Sequence, residues 1–272
     1  MSLVGLPKLV ATDLDGTLVR SDETVSDYSI SVLRKVREAG IIVVGVTGRG
    51  ARLIELCRRD LPEADFLVLA QGGYVVDQRD LDVTRVLRRA QIPGGDLAEA
   101  LRLLEQAAGP LSVLVEALDA PRSPLWGDSH VVWPYPEWIP YDRALALSGP
   151  AYKGFARAES ISADELLAVA REVVPPTLAT VTQAGLGYVE ITAPGVDKAS
   201  GLAVVAAELG ILPEDVCVFG DMPNDASMFG WAGWRRVAVA NAHPEVLALA
   251  DEVTASNDAD GVAAWLETLL SS

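Results

Sequence analysis

Three short apolar runs, at 9–12, 41–47 and 66–70, stand near the N-terminus, each ending in polar or glycine-bearing residues. Runs of this length, apolar on both alternating faces, predict strands buried on both sides of a sheet. Between the first two, Ile30, Leu33 and Val36 follow helical spacing, with Ser26 placed to cap the helix and Gly40 to end it. Strand, helix, strand in that order predicts a parallel sheet. The pattern returns late in the chain: a helix over 198–209, strands at 216–219 and 237–240, and a last helix through Trp265.

The roughly 120 residues between Asp77 and Lys198 far exceed the dozen or so that a parallel crossover needs. An insertion is therefore expected, with elements of its own. Helical spacing runs through Leu97, Leu101 and Leu104, an apolar strand covers 111–115, and a second helix runs through Leu166, Val169 and Val173. The segment 178–191 reads as a hairpin turning at Gly185 to Gly187. The expected class is α/β: a doubly wound parallel-sheet core carrying an inserted smaller α/β domain, with the core at 1–81 and 190–272 and the insert at 82–189.

Composition narrows the function. The 272 residues suit one large or two modest domains, and no stretch reaches the roughly 18 apolar residues of a membrane span. With no secretion signal visible, the expected compartment is the cytoplasm. Cys57 in a helical pattern and Cys217 inside the apolar run 216–219 read as buried thiols, not a disulfide framework. A formal net charge of −16 with no basic stripe argues against nucleic acid as a partner. It also means that any phosphate site must be assembled locally from a metal ion, backbone N–H groups and a few placed cations.

The segment Asp13-Leu14-Asp15-Gly16-Thr17 comes directly after the first strand, at the carboxyl end where open parallel sheets bind ligands. Two carboxylates two residues apart can divide the work, one attacking or binding metal while the other transfers a proton. A solvated turn would have the same composition. An EF-hand is excluded by Thr24 at the twelfth position from Asp13, where a Glu is required. Thr47-Gly48-Arg49 ends the second strand at the same level, offering a hydroxyl and backbone N–H groups. Lys198, at a predicted helix start, is placed either at the surface or against the crowded carboxylates. Gly220-Asp221-Met222-Pro223-Asn224-Asp225 comes after a buried strand, and carboxylates clustered there are costly without a cation. Oxygen donors with no paired His or Cys suit Mg²⁺ better than zinc, and His130 and His243 are not spaced as ligands.

In this order the four motifs resemble the haloacid dehalogenase superfamily, and within it the Cof-like sugar-phosphate phosphatases of subclass IIB. Asn241-Ala242, Val253-Thr254 and Asp260-Gly261-Val262 are also similar to that branch, and the insert takes the place of its cap domain. The resemblance implies Asp13 as nucleophile and Asp15 as the acid that protonates the leaving alkoxide and then activates water. It implies Mg²⁺ held by Asp13, Asp15 through its backbone carbonyl, and Asp221, with Asp225 supporting that shell. Thr47, Gly48, Lys198 and Asn224 would bind phosphoryl oxygens or adjacent substrate groups, and Arg49 could serve the substrate, its own helix or the cap. One departure is Gln71-Gly72-Gly73, where the branch usually carries Asn-Gly.

The function so implied is Mg²⁺-dependent hydrolysis of small phosphorylated metabolites, with sugar phosphates foremost. The alternatives are a phosphotransferase or mutase using the same Asp13 intermediate, and a non-catalytic metabolite-binding module, which would leave Asp13, Asp15, Lys198 and Asp221 unexplained. The densest aromatic stretch, Trp126, His130, Trp133, Tyr135, Trp138 and Tyr141, lies inside the insert and is broken by prolines 134, 136 and 140. It reads as a stiff loop that either staples the insert or, with Lys153 or Arg157, closes over the substrate.

Overall fold

A segment apolar on both faces has no side to give to water, and 9–12 accordingly forms a central strand, β1 (Leu9–Thr12), buried throughout. The computed structural model describes residues 5–80, 83–118, 123–128, 131, 133, 137–183 and 185–271. β2 (Ile42–Val46) and β3 (Phe66–Leu69) extend the sheet from β1 in parallel. The sheet then turns antiparallel through β4 (Tyr74–Asp77) and β5 (Arg85–Arg89), which the apolar pattern did not announce. The reason is the connection: the few residues between β3 and β4 cannot make a parallel crossover.

The insert contributes β6 (Leu111–Ala117), β7 (Leu125–Gly127), β8 (Trp138–Pro140), β9 (Ala151–Ala158), β10 (Thr180–Gln183) and β11 (Val189–Thr192). These form a second sheet in the order β10-β11-β9-β6-β7-β8, antiparallel except for β7 on β8. The chain then returns to the first sheet as β12 (Val216–Gly220), β13 (Arg235–Ala238) and β14 (Glu252–Val253), giving the order β14-β13-β12-β1-β2-β3-β4-β5. β13 begins at Arg235, two residues before the expected strand. The class is α/β, a Rossmann-like core with an inserted α/β domain.

β9, the central strand of the second sheet, escaped the hydrophobic pattern because Lys153, Gly154 and Arg157 interrupt it. Two of these interruptions have a clear tertiary explanation. Lys153 is buried against Glu190 of β11, and a Cβ at Gly154 would lie 2.6 Å from Leu97 of the helix Gly94–Ala108 that packs over the strand. The hairpin of β10 and β11 and the helices Asp27–Glu38, Lys198–Leu209 and Gly261–Leu270 match the expected elements. Ser26 caps the first helix, its side chain accepting from the Ser29 N–H. Both cysteines are free and buried; burial pushes the Cys57 thiol up to about 12. Among the described residues no helix is long and apolar enough to cross a membrane.

Candidate active site

β1, β2 and β12 run parallel as neighbours, so the residues just past their ends meet at one edge of the sheet. Asp13 continues the ladder one step beyond β1, its N–H donating to the Phe219 carbonyl at 3.0 Å. The chain then turns sharply, with the Leu14 carbonyl accepting from the N–H groups of Thr17, Leu18 and Val19. Gly16 sits at φ +79°, and a Cβ there would collide with the Asp221 carboxylate, so glycine is required both for conformation and for space. Thr17 Oγ1 donates to Asp221 Oδ1 at 2.8 Å, and Asn241 Nδ2 to the Gly16 carbonyl at 2.8 Å, pinning the loop from the β12 and β13 sides.

Lys198 is fully buried, and its ammonium bridges Asp13 Oδ1 at 2.7 Å and Asp225 Oδ1 at 2.6 Å. Of the two placements left open for this lysine, the interior one is found. The second Asp225 oxygen accepts from the N–H groups of Asp221 and Met222 at 2.9 and 3.0 Å, so Asp225 shapes the Asp221 loop and aims Lys198. Burial raises the Asp13 carboxyl well above the usual carboxylate range, with Asp225 and Asp221 adding to the rise and Lys198 opposing it. Burial and the Asp225 charge likewise carry Asp221 to about 7. Lys198 is held above the ordinary lysine range because Asp13 and Asp225 outweigh the burial that would lower it.

Donor atoms of Asp13, Asp221 and Asp225 all lie within 4.8 Å of one another. Three buried carboxylates against one ammonium leave an excess of negative charge, which the raised Asp13 and Asp221 carboxyls express. A small divalent cation with oxygen preference fits that deficit. Because both Asp225 oxygens are already engaged, Asp13 and Asp221 are the side chains with capacity to hold it.

A cavity of about 360 Å³ opens over Asp13 between the two sheets, and Asp15, Thr47, Gly48, Arg49 and Asn224 also line it. Asp15 is largely exposed, and Arg49 clamps it with Nη2 at 2.5 Å and Nε at 2.8 Å while Nη1 holds Asp60 at 2.6 Å. Arg49 thus ties the acidic loop to its own helix, Ile54–Asp60. Thr47 Oγ1 accepts from the Arg49 N–H at 3.0 Å, which closes the turn.

Residues from the second sheet complete the wall. Lys153 Nζ reaches Glu190 Oε1 at 2.7 Å and the Gly48 carbonyl at 2.5 Å, and lies 4.4 Å from the centre of the Phe155 ring. Gln71, at φ +56°, spans the same seam: its Nε2 donates to Glu190 Oε2 at 2.5 Å and its Oε1 accepts from Asn224 Nδ2 at 3.3 Å. The departure from Asn at this position therefore carries a contact of its own. Glu190 was invisible as a site residue in the sequence, where it is one acid in an apolar hairpin strand. Its only local signal is that no buried carboxylate is stable without a partner.

The aromatic stretch divides. Trp133 lines the cavity, edge-on to Phe155 and Tyr188 at 5.3 and 5.4 Å. Trp126, in β7, instead stacks on Tyr141 at 4.7 Å and packs against the core of the insert. Trp126 and Trp138 are strand residues, so the stretch is not one continuous loop. Arg157 lies over the Tyr188 ring and is not among the residues lining the cavity. His130, Tyr135, Pro134 and Pro136 lie outside the described residues. His243 caps the helix Pro244–Leu247 through Nδ1, a structural role.

The family model for haloacid dehalogenase-like hydrolases matches residues 10–120 and 143–266. A phosphoglycolate phosphatase of Haloarcula marismortui is 40% identical over 256 residues, covering 94% of this chain and 93% of its own. A 5-amino-6-(5-phospho-D-ribitylamino)uracil phosphatase of Bacillus subtilis is 27% identical over 94% of this chain and 93% of its own. Among solved structures, a subclass IIB sugar phosphatase shares the fold with a TM-score of 0.78 at 22% identity, over 96% of this chain and 98% of its own.

Proposed function

The chain belongs to the haloacid dehalogenase-like hydrolases and is a phosphatase of that family with the Cof-like, subclass IIB fold; from there we propose that it hydrolyses small phosphorylated metabolites, such as sugar phosphates, in the cytoplasm through an aspartyl-phosphate on Asp13. The observation that carries this reading is the buried Asp13–Lys198–Asp225 relay with Asp221 beside it, opening on a cavity large enough for a metabolite. Its acids fit Mg²⁺, which the carboxylates of Asp13 and Asp221 and the backbone carbonyl of Asp15 would hold. When bound, Mg²⁺ offsets the repulsion between the Asp13 carboxylate and the phosphate dianion.

In the first step the Asp13 oxygen not held by Lys198 attacks phosphorus, the ester P–O bond breaks, and the leaving oxygen takes a proton from Asp15. To do so Asp15 exchanges its Arg49 contact for the leaving group. In the second, the Asp15 carboxylate removes a proton from water, whose oxygen attacks phosphorus and breaks the bond to Asp13. Thr47, the Gly48 amide and Lys198 hold phosphoryl oxygens. The names of the relatives suggest two leaving groups of opposite character, a two-carbon acid and a ribityl-linked aminouracil.

The test is phosphate release from p-nitrophenyl phosphate and a panel of metabolite esters, with Mg²⁺ and with chelator, combined with acid-quench trapping of label on the Asp13 peptide. Mg²⁺-restored release with label on that peptide is expected. Full activity in chelator, or label on another residue, overturns the mechanism; phosphate passed to a second alcohol instead of water identifies a transferase.

A further inference from the structure

Taking the phosphatase reading as its base, we propose that Asp60 is a positioning residue for the proton transfers of Asp15: by sharing Arg49 with Asp15 it keeps the guanidinium in the cavity wall and weakens its hold on the acid that must leave it.

Asp60 stands where elementary physics disfavours a carboxylate. It is buried, and it is the last residue of the helix Ile54–Asp60, beside the carbonyl end that repels negative charge. A carboxylate so placed depends on its cations. One of them, Arg59, reaches Asp60 Oδ1 at 2.7 Å, but its side chain is 64% exposed, so solvent screens most of what it contributes. The other is Arg49, only 10% exposed, whose Nη1 lies 2.6 Å from Asp60 Oδ2. Both members of this second pair are withdrawn from water, so Arg49 is the partner on which Asp60 chiefly relies.

The fork of Arg49 is divided between two acids of opposite kind. Nη1 faces the buried Asp60, while Nε and Nη2 face the largely exposed Asp15 at 2.8 and 2.5 Å. Asp15 lines the cavity and Asp60 does not, so Asp60 can act on the reaction only through Arg49. A planar guanidinium held at one edge by a buried acid does not follow the other acid when that one moves. Asp15 then leaves alone, gives its proton to the ester oxygen as the P–O bond breaks, and is a carboxylate when water enters. Because one cation serves two carboxylates, each is bound less tightly than it would be by itself. Without the Asp60 charge, Asp15 is the one carboxylate partner of Arg49 left among the described residues, and the change of partner costs more.

The experiment measures kcat/KM of Asp60→Asn under Mg²⁺ for p-nitrophenyl phosphate and for the fastest alkyl phosphate of the metabolite panel. p-Nitrophenolate leaves without a proton whereas an alkoxide needs one, so only the alkyl ester reads the acid. The alkyl ester should lose about tenfold or more and p-nitrophenyl phosphate less than about threefold. Equal losses on both esters, the mark of a merely structural residue, or no loss on either, overturn the proposal. Arg49→Gln with Asp60→Asn removes both charges together and leaves neither buried without its partner, so it serves even if Asp60→Asn alone does not fold. Its ratio of the two kcat/KM values should equal that of Arg49→Gln, and a further shift means that Asp60 acts by another route and overturns the proposal. A crystal structure of Asp60→Asn gives a readout independent of turnover: the guanidinium should have turned from residue 60 toward the cavity with Asp15 still attached, and an unmoved guanidinium overturns the proposal. Failure of the unsubstituted protein to hydrolyse any ester would sink the phosphatase reading alone, since the crystal structure still decides whether Asp60 anchors Arg49.

Discussion

Asp13 and Asn have nearly the same shape, so Asp13→Asn separates chemistry from folding. Turnover should fall at least a thousandfold, about 4 kcal/mol of barrier, while the circular dichroism spectrum is kept; activity within about tenfold, about 1.4 kcal/mol, would remove Asp13 as nucleophile. Asp221 makes a separate prediction about pH. In the folded chain it keeps its proton up to about pH 7, whereas a freely solvated Asp releases it near 3.8. Between those values the folded state binds more protons than the unfolded one, so stability falls as pH rises through the window and the loss is complete above about 7. Mg²⁺ requires the deprotonated acid and should reverse that loss. Urea unfolding in chelator is therefore expected to weaken from pH 5 to pH 8, and the stabilisation by added Mg²⁺ to grow over the same range. A Mg²⁺ effect independent of pH would take Asp221 out of the metal site. At this scale the sequence was legible wherever a residue comes just after a buried strand, as Asp13, Thr47 and Asp221 do. It was not legible for Glu190 or Gln71, whose roles depend on partners from the other sheet.

Helices announced themselves through caps and spacing, because both are local. Ser162, which the pattern did not single out, caps its helix in the structure: its hydroxyl accepts from the Glu165 N–H at 3.2 Å and the Glu165 carboxylate accepts from the Ser162 N–H at 2.8 Å. Ser162→Ala should cost about 1 kcal/mol in urea unfolding. Neither residue lines the cavity, so kcat/KM should be unchanged. A loss of turnover without a loss of stability would mean that the helix Ala163–Val173 positions the site after all. Strands were legible when apolar on both faces, as β1 and β3 are, or when a glycine-bearing turn joined them, as in the hairpin of β10 and β11, and β9 was hidden because its lysine is neutralised by a neighbouring strand. The antiparallel β4 and β5 depend on a short connection and were not distinguishable from a loop.

For the whole molecule the decisive feature is the seam between the two sheets, which Arg52–Glu116, Lys153–Gly48 and Gln71–Glu190 all cross. Glu116 of β6 is fully buried, 3.0 Å from Arg52, and occupies the space where a Cβ on Gly50 would stand. Gly50→Ala should displace that carboxylate, leave a buried charge unpaired and lower kcat/KM at least tenfold. Adding Glu116→Ala removes the collision, so the double variant should recover part of the loss in a double-mutant cycle; purely additive effects would mean that Gly50 acts elsewhere. The sequence by itself determined the α/β class, the insertion and the edge at which the acids gather. All three rest on short-range pattern: apolar runs make buried strands, and the residues just past the ends of parallel neighbours meet at one rim of the sheet. Only the tertiary structure decided that Lys198 is interior, that Arg49 clamps Asp15, that Trp133 and not Trp126 faces the cavity, and that Glu190 orients the amides of Gln71 and Asn224. These are contacts between residues far apart in the chain, set by strand order and by how the insert seats on the core, and local periodicity carries no information about either.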